Sequence, residues 1–188
     1  MRQTITALFV FLSVTSVAQK YSTEIKDTAI ISFMDWLLKS DTAFKAIRHV
    51  DNDIQKLDTI NFGYPDSATS NDYQYAQNIF RKNNSLTQYF TQDEANYFVK
   101  QIQAQRKYKW QLKFKNIRLY DTIQLVNNQV DKVLYSYSLP LFSSDKKYVI
   151  IIEAFYCGLV CGGGDYNLYE RQAGNSWKKM KQLVHWDE

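Results

Sequence analysis

The chain is poor in the residues that usually carry chemistry or break up secondary structure. Its 188 residues include two cysteines, two histidines, two prolines and six glycines. A structural zinc site takes four ligands, and His49 and His185 lie far apart with no partner spacing. C-x-x-C-H, the haem attachment signal, is absent, and so are G-x-S-x-G and a phosphate loop. No metal and no cofactor is therefore expected. No apolar run reaches the ~20 residues that a membrane span needs. Repeats and low-complexity tracts are also missing.

The charge balance excludes another class. Twenty-three basic and 19 acidic residues leave a net charge of only +4, and the basic residues are dispersed. That argues against nucleic acid as a partner. The densest group, Lys178, Lys179 and Lys181, falls on a predicted strand and reads as a solvated, edge-protecting feature.

What the chain does have begins with an export signal over residues 1–18. Arg2 supplies the charged start, and Leu8 to Leu12 with Val14 and Val17 supply a short apolar core. Ser16-Val17-Ala18 then places small residues before Gln19. With no cysteine at that site, no lipid anchor is expected. Residues 19–188 form a single domain of ordinary size, periplasmic or secreted. Aromatics make up 15% of the residues, with 14 tyrosines, which suits a β-rich exported domain.

Along the chain, the spacing of Ile25, Ala29, Ile30, Phe33, Met34 and Leu37 predicts a helix over 22–39. Ser40-Asp41 reads as the cap of a second helix carrying Ala43, Ile47, Val50, Ile54 and Leu57, packed antiparallel to the first. Residues 61–72 read as loop, and 73–90 fit either helix or short strands. Thr91 to Glu94 is a capping box opening a further helix that ends near Lys107. The apolar period then changes to two. Trp110, Leu112 and Phe114 are followed in opposite phase by Ile117 and Leu119, which suggests a bulge at Lys115-Asn116. Strands follow at 123–126 and 133–139, and Pro140 marks a strand end. Turns fall at Ser143 to Lys147 and Gly174-Asn175. The fold class is α+β, with N-terminal helices packed on one face of a C-terminal antiparallel meander.

The centre of the chain is Tyr148 to Glu170. A strand apolar on both faces runs into both cysteines and four of the six glycines: Gly158, Gly162, Gly163 and Gly164. Glycine serves where φ is positive or another group approaches closely. A continuous strand would hold positions i and i+4 ~13 Å apart, so Cys157 and Cys161 pair only if the chain reverses between them. An oxidising compartment favours such a local disulfide, closing a hairpin neck. A thiol–disulfide role is the weaker alternative, because C-x₃-C in a hairpin lacks the C-x-x-C spacing and helix dipole. An anion nest at the glycines lacks the helix that should follow.

Glu153 lies between Ile151 and Phe155. If the neck joins the cysteines, simple register sets Glu153 opposite Asp165, a pair that could bind a cation or share a proton. The glycines are expected to introduce a bulge, and a one-residue slip there destroys that pairing. The plainer reading has Glu153 accept from a tyrosine hydroxyl, or pair with Arg171 or a lysine. His185 reads as exposed or capping.

Phe142, Ser143 and Asp145, then Cys157, Gly158, Cys161, Gly162 and Gly164, then Tyr169, Trp177 and Trp186 form a pattern. In it the chain resembles a group of small exported bacterial proteins of unknown function, whose C-terminal halves carry Phe-Ser-x-Asp and C-G-x-[LV]-C-G-x-G. The N-terminal half is similar only in general pattern, at Phe44-Lys45 and Ile54-Gln55-Lys56. The resemblance implies export and a shared fold. The expected function is binding or interaction, with a protein, small molecule or glycan as partner. The alternative is a hydrolase or other enzyme using Glu153 and Asp165, cation-dependent in one form.

Overall fold

The computed structural model describes residues 21–40, 48–51, 53–54, 86–105, 109–111, 117–120, 133–158 and 161–187. The expected export signal, the loop over 61–72 and the strand over 123–126 lie outside them.

The first helix, α1, is Asp27–Ser40 and buries Ile30, Phe33, Met34 and Leu37. It starts later than its apolar spacing predicts because Ser22 organises a turn first. The Ser22 hydroxyl accepts from the amides of Glu24 (3.1 Å) and Ile25 (3.3 Å), which competes with helix over those residues. Asp27, in the first turn, accepts from the Tyr21 amide at 3.0 Å.

The second helix expected from the sequence is replaced, where the structure describes it, by strand β1, Arg48–Asp51. β1 pairs in parallel with β2 (Ile117–Tyr120) on one side and β3 (Leu134–Tyr137) on the other. Val50 and Ile54 are both buried in one core cluster. Their four-residue spacing is therefore real, but extended chain satisfies it as well, since residues i and i+4 fall on one face. Val50 and Ile54 are β-branched, and pairing on both sides outweighs a weak helical preference.

The second helix among the described residues, α2, is Gln92–Gln103, and Thr91 caps it by accepting from the Glu94 amide at 3.3 Å. The Glu94 carboxylate does not complete the reciprocal box. It accepts instead from the Ser144 amide at 3.1 Å and from the Ser144 hydroxyl, tying the helix start to a strand turn.

The remaining strands are β4 (Leu141–Phe142), β5 (Tyr148–Gly158), β6 (Cys161–Arg171) and β7 (Trp177–Asp187). Among the described residues they form one seven-stranded sheet in the order β2-β1-β3-β5-β6-β7, with β4 also on β5. β3 and β4 run along the same edge of β5 as one broken strand. The register moves by one residue between Tyr137↔Glu153 and Leu141↔Ile150, and Pro140 falls in the break, as expected of a residue without an amide proton. At the break the fully buried Ser138 donates its amide to Ile152 O (3.1 Å) and accepts the Ile152 amide on its hydroxyl (2.9 Å).

β5 is the central strand that its double-sided apolar pattern predicts. Val149 and Ile151 join one cluster with Ile30, Phe33, Met34 and Leu37 of α1. Ile150 and Ile152 join the other with Ala95 and Phe98 of α2. The fold is thus α+β, but the helices divide between the two faces of the sheet rather than sharing one. The alternation of β5 requires this, since both of its faces need covering. β7 lies at the edge of the described sheet and carries Lys178, Lys179 and Lys181, in keeping with an edge-protecting role. No described helix is long and apolar enough to cross a membrane.

Candidate functional site at the braced hairpin

β5 and β6 form a long hairpin whose neck is closed by the Cys157–Cys161 disulfide, with Cα atoms 5.1 Å apart. The chain therefore does reverse between the cysteines. The register shift lies between Tyr156 and Gly158, so Gly158 pairs with Cys161. It falls on the neck side of the acidic pair, and Glu153 does stand opposite Asp165.

The two carboxylates nevertheless serve different neighbours. Glu153 Oε1 accepts from the Tyr169 hydroxyl at 2.6 Å and from Asn167 Nδ2 at 2.7 Å. This is the plainer reading of Glu153, with tyrosine as donor. Asp165 Oδ1 accepts from Gln182 Nε2 at 2.8 Å and bonds His185 Nδ1 at 2.7 Å, while Lys179 Nζ lies 3.9 Å from Oδ2. No group of three His, Cys, Asp or Glu side chains among the described residues is arranged to hold a metal ion.

His185 is exposed, as expected, but it is also held from both sides. Nδ1 faces Asp165 at 2.7 Å and Nε2 faces Asp187 at 3.0 Å. Those two hydrogen bonds, Asp165 first and Asp187 second, raise its pKa above 6.5. While protonated, the ring donates from both nitrogens and has no lone pair to offer as a base. Nothing in the residue spacing anticipates this clamp, because β7 carries two register shifts against β6 whose positions follow no spacing rule.

The three consecutive glycines are explained by close approach rather than by an anion nest. None has positive φ; Gly174 does, at 72° in the β6–β7 turn. A Cβ at Gly162 would meet Phe155 O and Tyr156 Cδ1, each at 3.2 Å. One at Gly163 would meet Asp187 Oδ1 and Trp186 O, each at 2.9 Å. One at Gly164 would fall within the Trp186 indole itself. Side chains of β5 and β7 thus lean onto the bare backbone of β6, the arrangement by which aromatic rings cover strand glycines.

On the face that holds Tyr156, Gly162, Gly164 and Trp186, this leaves a row of aromatic rings. Tyr156 is 38% exposed, and Trp186 and Tyr166 are half-buried with centroids 5.9 Å apart. Gly164→Ala is expected to displace the Trp186 ring and cost about 1–3 kcal/mol, as overpacking does. Urea unfolding of that variant alone and combined with Trp186→Ala checks this. The penalty should shrink in the double variant; an equal penalty in both backgrounds would mean the ring is not the obstacle.

No known protein family, curated protein or solved structure matches this chain.

Proposed function

We propose that the chain is an exported binding protein whose ligand surface is the aromatic row at the braced end of the hairpin. The observation that carries this reading is the glycine floor. It lets Trp186 and Tyr156 lie close on the β6 backbone with part of each ring exposed. A flat, rigid π face with a negative quadrupole attracts the weakly positive C–H face of a ligand. The ring is held in place without the ligand, so little ordering entropy is lost on binding. A pyranose ring fits that description, which makes an oligosaccharide the partner to test first.

The groups that an enzyme would use at this end are engaged by the chain itself. Cys157 and Cys161 are bonded to one another, Glu153 and Asp165 accept from separate donors, and His185 is clamped. The disulfide fits export, and the resemblance to small exported proteins points the same way.

A panel of neutral and charged oligosaccharides titrated against the mature protein tests the reading. Trp186→Ala is expected to weaken binding at least tenfold with an unchanged far-UV spectrum, while Glu153→Gln leaves affinity as it was. Binding that survives Trp186→Ala, or that disappears with Glu153→Gln, would place the ligand elsewhere.

A further inference from the structure

We infer that the Asp165–His185–Asp187 bridge is a pH-sensitive latch on the last turn of chain in β7, and that it governs whether Trp186 stays seated on Gly164. This regulation rests on the proposed ligand surface, because Trp186 belongs to both.

The geometry sets the logic. His185 and Trp186 are adjacent in β7 and point to opposite sheet faces, and they pair across β6 with Asp165 and Gly164. Whatever holds His185 down therefore holds the backbone that carries the indole. As an imidazolium the ring donates from both nitrogens, to Asp165 and to Asp187. A neutral imidazole has one N–H. One carboxylate then faces a ring lone pair, and that contact becomes repulsive. The other charged groups near the bridge are Lys179, 3.9 Å from Asp165, and Glu153, opposite Asp165 on β5. Lys179 partly neutralises Asp165, and among the described residues no lysine or arginine pairs with Asp187.

The direction of the pH effect follows from the raised pKa. The latch is fully closed below the ordinary histidine value of about 6.5 and opens as pH rises through the higher folded value. The site is exposed and at the end of an edge strand, where local opening is easiest. The expected result is release of the strand end, with the rest of the sheet intact.

The test uses the mature protein and its His185→Gln variant. NMR titration of the two histidine ring protons identifies His185 by its absence in the variant. Hydrogen exchange of residues 183–187, corrected for the intrinsic pH dependence, follows the strand end from pH 5.5 to 8.5. The expected outcome is a His185 midpoint above 6.5, a several-fold loss of protection over the same range, and no such step in His185→Gln. Asp187→Asn should lower the midpoint. A midpoint at 6.5 or below, flat protection, or an equal step in His185→Gln would overturn the latch. These readouts need no ligand, so they stand or fall apart from the binding reading. Oligosaccharide affinity that stays flat while protection steps would overturn the coupling between them, and an absence of oligosaccharide binding at every pH would count against the ligand surface alone.

Discussion

Phe33→Ala is expected to destabilise the fold by about 3–5 kcal/mol, the range for truncating a buried phenylalanine. Phe33 is 1% exposed and sits where α1 meets three strands. Its ring lies 5.2 Å from Trp177 of β7, 5.7 Å from Tyr169 of β6 and 6.1 Å from Phe142 of β4, each edge to face. Trp36, one turn on in α1, adds a tilted contact at 6.0 Å. Truncation removes the transfer free energy of the ring and leaves a cavity walled by large aromatic groups that cannot all collapse inward. A domain of this size has about 5–15 kcal/mol of stability in total, so the loss would be a large part of it. Urea unfolding with an unchanged slope measures it. A loss below about 1 kcal/mol would mean that α1 is not fastened through this residue.

The next largest effect is expected from Gln101→Leu, at about 2–6 kcal/mol. Phe142 occupies a position in β4 whose amide and carbonyl point away from β5. Gln101, 3% exposed in α2, satisfies both: Nε2 donates to Phe142 O at 2.6 Å, and Oε1 accepts from Phe142 N at 2.9 Å. One side-chain amide thus does for the open side of β4 what a neighbouring strand would do. Leucine has nearly the same volume, so the cost comes from two buried polar groups left without partners, about 1–3 kcal/mol each. Gln101→Glu should lose part of this, because the carboxylate can still accept from the Phe142 amide but has no donor for its carbonyl. Denaturant unfolding combined with exchange of the Phe142 amide tests both points. Unchanged protection of that amide in Gln101→Leu would sink the argument. The two predictions also share a residue, since Phe33 packs on the Phe142 ring while Gln101 binds its backbone. The double variant should therefore depart from additivity.

Several of these features could be read from the residues in order. The apolar spacing of α1, the Thr91 cap, the Pro140 break, the turn at Gly174-Asn175 and the double-sided strand at β5 all follow from local sterics and period, which travel only a few residues along the chain. The Cys157–Cys161 closure follows from counting across one hairpin, whereas the Glu153–Asp165 register holds only because the register shift falls on its neck side. The five apolar positions from Ala43 to Leu57 cannot distinguish a short strand from a helix when parallel neighbours far along the chain supply the pairing. Gln101 did leave a signal, a polar residue between Phe98 and Ile102 on a buried helix face, but not the identity of its partner 41 residues away.

The sequence by itself determined the α+β class, the central strand, the braced hairpin and the need for glycine beneath it, because each depends on neighbours within about a dozen residues. Only the tertiary structure decided that the helices lie on opposite faces of the sheet. It alone showed that Gln101 completes β4, that Trp186 is the ring lying on Gly164, and that His185 bridges two aspartates. Those outcomes depend on where two bulges fall in β7 and on which distant groups leave a buried donor or acceptor unpaired, and neither is written in local spacing.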